Sequence, residues 1–152
     1  MTTAAPTSLR VAQTMRATPE QLFRAWTDPA ELARWWRMEG DGWAFAGADV
    51  DLRVGGAYHL AMTDPAGNLH RAFGVYREVS RPNRLAFTFD WDDPARAIGE
   101  TLVTVELNDV GSGVTRVVIT HERFASGAPI AGHESGWTQL LRLLDRAVSE
   151  LE

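Results

Sequence analysis

Histidine is the residue type in this sequence best suited to acid–base chemistry, because its ordinary pKa lies near neutrality. The chain has four histidines, at positions 59, 70, 121 and 133. A zinc site needs three or four converging ligands, and no two of these histidines have the helical spacing of a zinc protease. The sequence also has no cysteine and no serine in a Gly-x-Ser-x-Gly turn. We therefore expect no metal and assign no catalytic residue.

Two of the histidines leave two interpretations open. His121 shares one face of a predicted strand with Val117 and Ile119. A lone histidine on an apolar face is usually a core residue with satisfied hydrogen bonds, but in a cavity it could bind a ligand carbonyl or act as a general base. His133 precedes Trp137 by one helical turn, so these two side chains share a face. An enzyme that uses His121 or His133 as acid or base therefore stays an alternative.

Tryptophan is abundant, with six residues in a chain of 152. Trp26 and Trp35 are predicted to fill the core. Adjacent residues on a helix point about 100° apart, so Trp35 and Trp36 cannot face the same core, and Trp36 is predicted to face a cavity mouth or solvent. A mostly apolar pocket with a few polar groups is the usual small-molecule site. The predicted ligand-binding residues are Trp36, Tyr58, Phe89, Trp91, His121, His133, Trp137 and Leu140.

Arg53 suggests a different kind of contact. Its guanidinium could anchor a carboxylate ligand, because the two groups match in shape and charge. It could instead form a structural ion pair, for example with a carboxylate on the neighbouring strand. We favour the ion pair.

The overall composition restricts the partners. The formal net charge of −5 disfavours nucleic acid. The chain has no lysine, which excludes a Schiff base, and no Gly-Lys-Ser/Thr phosphate loop, so we expect no cofactor. No stretch approaches the roughly 18 apolar residues of a membrane span, and Met1 to Ser8 lacks the regions of a signal peptide. We expect a frayed start over residues 1–8, no membrane partner and a cytoplasmic location.

A single α+β domain over residues 9–152 is predicted to position these side chains. Two cap-plus-proline starts, Thr18-Pro19 and Asp28-Pro29, predict two short helices in succession. A helical apolar stripe predicts a long final helix from about Ile130 to Leu151. Alternation with short turns predicts antiparallel strands. These strands are Leu9–Arg16, Ala48–Val54, Ala57–Met62, His70–Val79, Leu85–Trp91, Gly99–Asn108 and Thr115–Glu122.

Two details of this sheet can be predicted. Gly55-Gly56 indicates a two-residue hairpin loop, because glycine accepts the positive φ that such loops need. In the strand Leu85–Trp91, large apolar residues alternate with Ala86, Thr88 and Asp90. This alternation predicts one buried face and one wetter face.

The order of elements, together with several segments, resembles the SRPBCC (START-like, Bet v-like) superfamily. More narrowly, it resembles the family named after the activator of the ninety-kilodalton heat-shock protein ATPase. The segments that carry this resemblance are Ala17–Pro29, Leu32–Trp36, Asp51–Tyr58, Arg84–Phe89 and Gly136-Trp137 with Leu140–Leu144. The resemblance implies a helix-grip fold, in which a curved antiparallel sheet wraps around the C-terminal helix and often leaves an apolar cavity.

The resemblance does not imply a single reaction, since the superfamily includes ligand carriers, co-chaperone domains and aromatic polyketide cyclases. Because aromatic residues outnumber any visible catalytic set, we predict a binding protein for a small apolar or aromatic molecule. The cavity would lie between the sheet and the last helix. The alternatives are a cyclase- or hydrolase-like enzyme and a co-chaperone-like interaction module. A homodimer is also considered, because the fold leaves sheet edges to cover.

Overall fold

The computed structural model describes residues 7–149, in which an antiparallel sheet curves around one long helix. The elements are β1 (Leu9–Met15), α1 (Pro19–Thr27), α2 (Pro29–Leu32), β2 (Ala44–Val50), β3 (Ala57–Thr63), β4 (Leu69–Ser80), β5 (Arg84–Trp91), β6 (Thr101–Gly111), β7 (Val114–Glu122) and α3 (Ile130–Ser149). The seven strands lie in the order β1-β7-β6-β5-β4-β3-β2. The predicted α+β helix-grip architecture is confirmed.

The ends of the chain lie largely beyond this description. Of the predicted frayed start, only Thr7 and Ser8 are described; they have no regular structure, although the Thr7 carbonyl accepts a hydrogen bond from Phe124 N at 3.0 Å. The predicted end of the last helix at Leu151 lies outside the described residues. Within residues 7–149, no helix combines the length and apolar character needed to cross a membrane.

The two short helices begin where the sequence predicts. Thr18 Oγ1 accepts from Gln21 N at 3.1 Å, and Thr18 N donates to Gln21 Oε1 at 2.8 Å, which completes a capping box. Asp28 Oδ1 accepts from Ala30 N at 3.0 Å and so caps α2. These caps fix where α1 and α2 begin. Trp35 and Trp36 follow shortly after α2.

The hairpin between β2 and β3 differs from the prediction. β2 ends at Val50, four residues before the predicted end, and residues 51–56 form a longer loop. This loop pairs with β4, since Gly55 N donates to Tyr76 O at 2.8 Å and Tyr76 N donates to Gly56 O at 2.9 Å. Gly55 has a φ of +85°, and a Cβ on Gly56 would lie 2.0 Å from the Asp51 carbonyl oxygen. Gly55 therefore supplies a positive φ where the loop pairs with β4, and Gly56 allows a close approach within the 51–56 loop, in place of a two-residue turn.

The face of β5 that carries Ala86 and Thr88 is less exposed to solvent than predicted. Ala86 and Thr88 are only 6% and 5% exposed. The backbone of β4 lies close to Thr88, as shown by the hydrogen bond from Val75 N to Thr88 Oγ1 at 2.9 Å. A side chain on Gly74 would collide with the Thr88 carbonyl oxygen. Small side chains on this face are thus buried by the neighbouring strand.

The core lies between the inner face of the sheet and α3. The second half of the helix contributes large buried side chains, including Leu141, Leu144 and Val148. The first half instead has Gly132 and Gly136 on the side that faces the sheet opening. This change in side-chain size along one helix determines where the interior is filled and where it stays open.

Candidate functional site

A cavity of about 470 Å³, partly open to solvent, lies beneath the first half of α3. Its volume is within the roughly 300–1,000 Å³ typical of small-molecule sites. The wall is built from the segment after α2, strands β3 to β5, the loop before β6 and α3. The lining residues are Trp36, Met38, Trp43, Met62, His70, Phe89, Trp91, Ala95, Arg96, Ala97, Ile98, Pro129, Gly132, His133, Gly136, Trp137 and Leu140.

Aromatic rings form most of the deep wall. Phe89 lies between two tryptophans, with ring centroids 5.3 Å from Trp91 and 5.7 Å from Trp137. Trp36 packs edge-to-face on Trp137 at 6.0 Å. Aromatic pairs prefer such tilted and T-shaped geometries. The wall therefore presents fixed rings around the space.

A second layer of indoles supports this wall. Trp35 is fully buried, and its Nε1–H donates to Ala25 O at 3.0 Å. Trp26 packs on Trp35 at 4.8 Å and on Trp137 at 6.1 Å. In the described part of the chain, the buried Nε1–H groups of Trp26 and Trp36 have no hydrogen-bond acceptor. Trp26 and Trp35 thus lie in the core as predicted, while Trp36 lies on the cavity wall but is only 1% exposed.

His121 lies behind the wall and not on it. Its Nδ1 accepts from Trp137 Nε1 at 3.0 Å, and its Nε2 lies 2.7 Å from Thr101 Oγ1. The Thr101 hydroxyl donates to the Phe89 carbonyl, so Nε2 carries the proton of a neutral imidazole. Burial lowers the pKa of His121 to about 3, with a smaller contribution from nearby His133. Both ring nitrogens are therefore occupied, and His121 acts as a core residue that orients Trp137.

His133 lies on the wall, but its nitrogens are also occupied. Nε2 accepts from Trp91 Nε1 at 3.0 Å, and Nδ1 donates to the Pro129 carbonyl at 2.8 Å. These two bonds fix the Nδ1–H tautomer. His133 therefore holds Trp91 in place and has no free lone pair for acid–base chemistry.

His70 lines the wall as well, although it is not among the predicted ligand residues. Its Nε2 lies 2.9 Å from Asp64 Oδ2, and its ring packs 5.4 Å from Trp43 and 6.5 Å from Trp91. The hydrogen bond from His70, assisted by backbone N–H groups of Asn68 and Ala66, holds the pKa of the Asp64 carboxyl well below its usual range. The signal in the sequence is the pair itself, since both residues flank one hairpin turn.

Tyr58 and Arg53 lie away from the cavity. The Tyr58 hydroxyl donates to Thr88 O at 2.6 Å, and burial raises the pKa of Tyr58 well above its usual value. Arg53 pairs with Asp51 at 2.9 Å on the exposed hairpin loop. The favoured ion pair of Arg53 is therefore present, but its partner is two residues away in the same loop and not on the neighbouring strand.

The eight predicted ligand residues thus divide into two groups. The structure brings six of them to one wall, and it leaves Tyr58 and His121 outside. The six wall residues are Trp36, Phe89, Trp91, His133, Trp137 and Leu140. Their role in binding stays a prediction.

The charge on the wall comes from a single side chain. Arg96 is the only Arg, Asp or Glu among the lining residues, and it pairs with Asp93 at 2.7 Å. Within residues 7–149, no cluster of three or more His, Asp or Glu side chains could hold a metal ion. The site offers apolar surface, rings and a few hydrogen-bonding groups.

A curved sheet closed by a C-terminal helix over an aromatic cavity defines a protein of the helix-grip class. Residues 16–149 match the family model described as activator of Hsp90 ATPase homolog 1-like protein. The chain belongs to this family, and the predicted family is confirmed.

Solved structures show the same fold. Protein CV1439 from Chromobacterium violaceum is 29% identical, with a TM-score of 0.82 over 93% of this chain and 96% of that one. A Rhodobacter sphaeroides protein is 28% identical, with a TM-score of 0.81 over 96% and 94%. An HSP90 activator from Plasmodium falciparum is 23% identical, with a TM-score of 0.70 over 95% and 97%, and shares the fold. No curated protein matches the sequence.

Proposed function

We propose that this protein binds a small apolar or aromatic molecule in the cavity between the sheet and the first half of α3. The single observation that carries this proposal is an aromatic-walled space of about 470 Å³. Exposing an apolar, ring-lined cavity to water is unfavourable, and covering that surface with a ligand lowers the free energy. A planar apolar ligand would therefore be stabilised in this cavity.

The geometry favours binding over acid–base catalysis by the two histidines of the sequence analysis. His121 and His133 each use one nitrogen to accept an indole N–H and the other to donate. A general base needs a free lone pair within reach of the substrate proton. Their hydrogen bonds instead fix the rings of the wall.

A homodimer stays a prediction. A homodimer would pair one of the two edge strands, β1 or β2, with a second copy. A cytoplasmic location stays a prediction, and a co-chaperone-like interaction module stays an alternative. The cavity does not depend on either.

The proposal is tested by filling the cavity. A Cβ built on Gly132 meets no atom within 4 Å, so Gly132→Phe places a ring in the space while replacing a poor helix former. We expect wild-type protein to bind 2-methylnaphthalene with a micromolar Kd in isothermal titration calorimetry, and Gly132→Phe to weaken this binding at least tenfold.

The matched control is Ala131→Phe, which adds the same ring one position earlier, at an exposed residue outside the lining. This variant should bind the probe like wild type. Equal binding by wild type and Gly132→Phe, or no binding by wild type, would contradict the proposal.

A further inference from the structure

His70 differs from the other histidines of the chain in having an available ring nitrogen at the cavity. Its Nδ1 has no hydrogen-bond partner within residues 7–149, yet it is not among the buried polar atoms that lack one. The atom is therefore reached by solvent, although the side chain as a whole is only 14% exposed. His70 also lines the cavity, and we place this solvent-reached nitrogen on the side of the ligand space.

The carboxylate of Asp64 fixes which nitrogen carries the proton. Asp64 Oδ1 accepts from the backbone N–H groups of Ala66 and Asn68 at 3.0 and 2.9 Å, and Oδ2 accepts from Asn68 Nδ2 at 3.1 Å. A carboxylate held in this way can only accept from His70, so the Nε2 of the imidazole is the donor. In the neutral ring Nδ1 is then a lone-pair acceptor.

The surroundings of His70 define the ligand that this acceptor suits. Both Trp43 and Trp91 are ring neighbours of His70 and line the same cavity, so a planar group beside His70 would contact aromatic surface. A hydroxyl or N–H buried without a partner is disfavoured, whereas one that reaches Nδ1 is satisfied. A planar molecule with a donor at its edge matches both features.

We propose that His70, positioned by Asp64, accepts a hydrogen bond from a hydroxyl or N–H group on an aromatic ligand, and that phenol-like molecules are therefore the preferred class. This inference rests on the proposed binding function and makes it more specific. The hydrogen bond selects among aromatic ligands of similar size, because a ligand that lacks the donor leaves Nδ1 unpaired.

The test compares two probes of nearly equal shape, 2-naphthol and 2-methylnaphthalene. Their Kd values are measured by isothermal titration calorimetry in mildly alkaline buffer, where an ordinary imidazole is neutral. In wild-type protein the hydroxyl probe should bind more tightly than the methyl probe. In His70→Phe the ratio of the two Kd values should shift by about tenfold toward the methyl probe, as expected for the loss of one buried hydrogen-bond partner.

The chain offers a matched control in a second His–Asp pair. His59 Nε2 lies 3.4 Å from Asp49 Oδ2, and the His59 side chain is 41% exposed. His59 does not line the cavity. His59→Phe should leave the ratio unchanged. One contrary outcome is that the ratio of the two Kd values is unchanged in His70→Phe, while this variant still binds 2-methylnaphthalene and Gly132→Phe does not. That result would overturn the His70 inference and leave the proposed function standing. Failure of wild type to bind either probe would overturn both.

A measurement on wild-type protein avoids dependence on the folding of the variant. In nitrogen-15 spectra of the imidazole groups, 2-naphthol should shift the Nδ1 resonance of His70 in the direction of an accepted hydrogen bond, and 2-methylnaphthalene should not. Equal shifts with the two probes would contradict the proposed bond.

Discussion

The two halves of α3 lie against the same curved sheet but leave very different interiors. In the second half, Leu144 is fully buried and Leu141 is 1% exposed. In the first half, Gly132 and Gly136 line the cavity together with His133 and Trp137. Gly132 and Gly136 add little side-chain volume where the interior is open, and leucines add much where it is closed, so side-chain size on the helix contributes to the difference. A helix-grip protein can therefore open or close a ligand space through a few positions on one helix.

The sheet shows the same contrast on its inner face. Away from the cavity lining, Tyr58, Tyr76 and Phe87 contact one another at centroid distances of 5.2 to 6.1 Å. Toward the open half, Trp91 and His70 are held by hydrogen bonds at the edge of the space. Packing between rings and the hydrogen bond from the Tyr58 hydroxyl to Thr88 O hold the filled group, whereas Trp91 and His70 border the opening and are each fixed by a hydrogen bond to another side chain.

The largest expected effect is a difference in the free energy of unfolding between two variants, Leu144→Ala and Leu140→Ala, whose positions lie one helical turn apart. Leu144→Ala leaves a void in a closed interior and should reduce the free energy of unfolding by about 2–5 kcal/mol. Leu140→Ala should cost less, because Leu140 already borders the cavity and its loss enlarges a space that exists. Urea denaturation of both variants tests this ordering. Equal costs would show that the two halves do not differ in packing.

The second effect concerns His121, which is buried behind the cavity wall and hydrogen-bonded to Trp137 and Thr101. Because burial lowers the pKa of His121 from 6.5 to about 3, the unfolded chain binds a proton below pH 6.5 that the folded chain does not. Stability should therefore fall as pH is lowered from 6.5, by up to about 1.4 kcal/mol per pH unit from this residue, and its contribution should level off near pH 3.

The matched variant is His121→Gln, which keeps an acceptor and a donor but does not titrate. Its free energy of unfolding, measured between pH 7 and pH 5, should depend less steeply on pH than that of wild type. Parallel pH profiles for the two proteins would mean that His121 is not kept neutral by its surroundings.

The smallest effect concerns the glycine that opens the cavity. Gly132→Ala adds a Cβ that meets no atom within 4 Å, and alanine restricts the unfolded chain more than glycine does. The variant should be about 0.5–1 kcal/mol more stable than wild type, with binding of 2-methylnaphthalene nearly unchanged. A loss of stability in thermal melts would indicate that the helix needs glycine at this position.

Much of the fold could be predicted from the sequence because its signals are local. The caps at Thr18 and Asp28, and the alternation in Leu85–Trp91, depend on neighbours within a few residues. The position of β2 could not be predicted in this way. Its end depends on hydrogen bonds between the 51–56 loop and Tyr76, which lies on another strand.

The candidate site was predicted less completely, for the same physical reason. Trp91 and Trp137 follow from the apolar faces of their elements. In contrast, whether His121 or His70 reaches the cavity depends on which side chain lies in front of it, and Trp137 covers His121. Asp64 and His70 flank one predicted turn, but the hydrogen bond that leaves Nδ1 of His70 free is established only by the folded hairpin.

A ¹H–¹⁵N spectrum of the wild-type protein, recorded during titration with 2-methylnaphthalene, would show directly whether the aromatic cavity binds a ligand. We expect saturable shifts of the Gly132 and Gly136 amides and of the Trp91 indole N–H. The amide of Phe73, which is 42% exposed and lies outside the cavity lining, should not move. Shifts centred on Phe73, or no saturable shifts at all, would contradict the claim that the aromatic cavity is a ligand site.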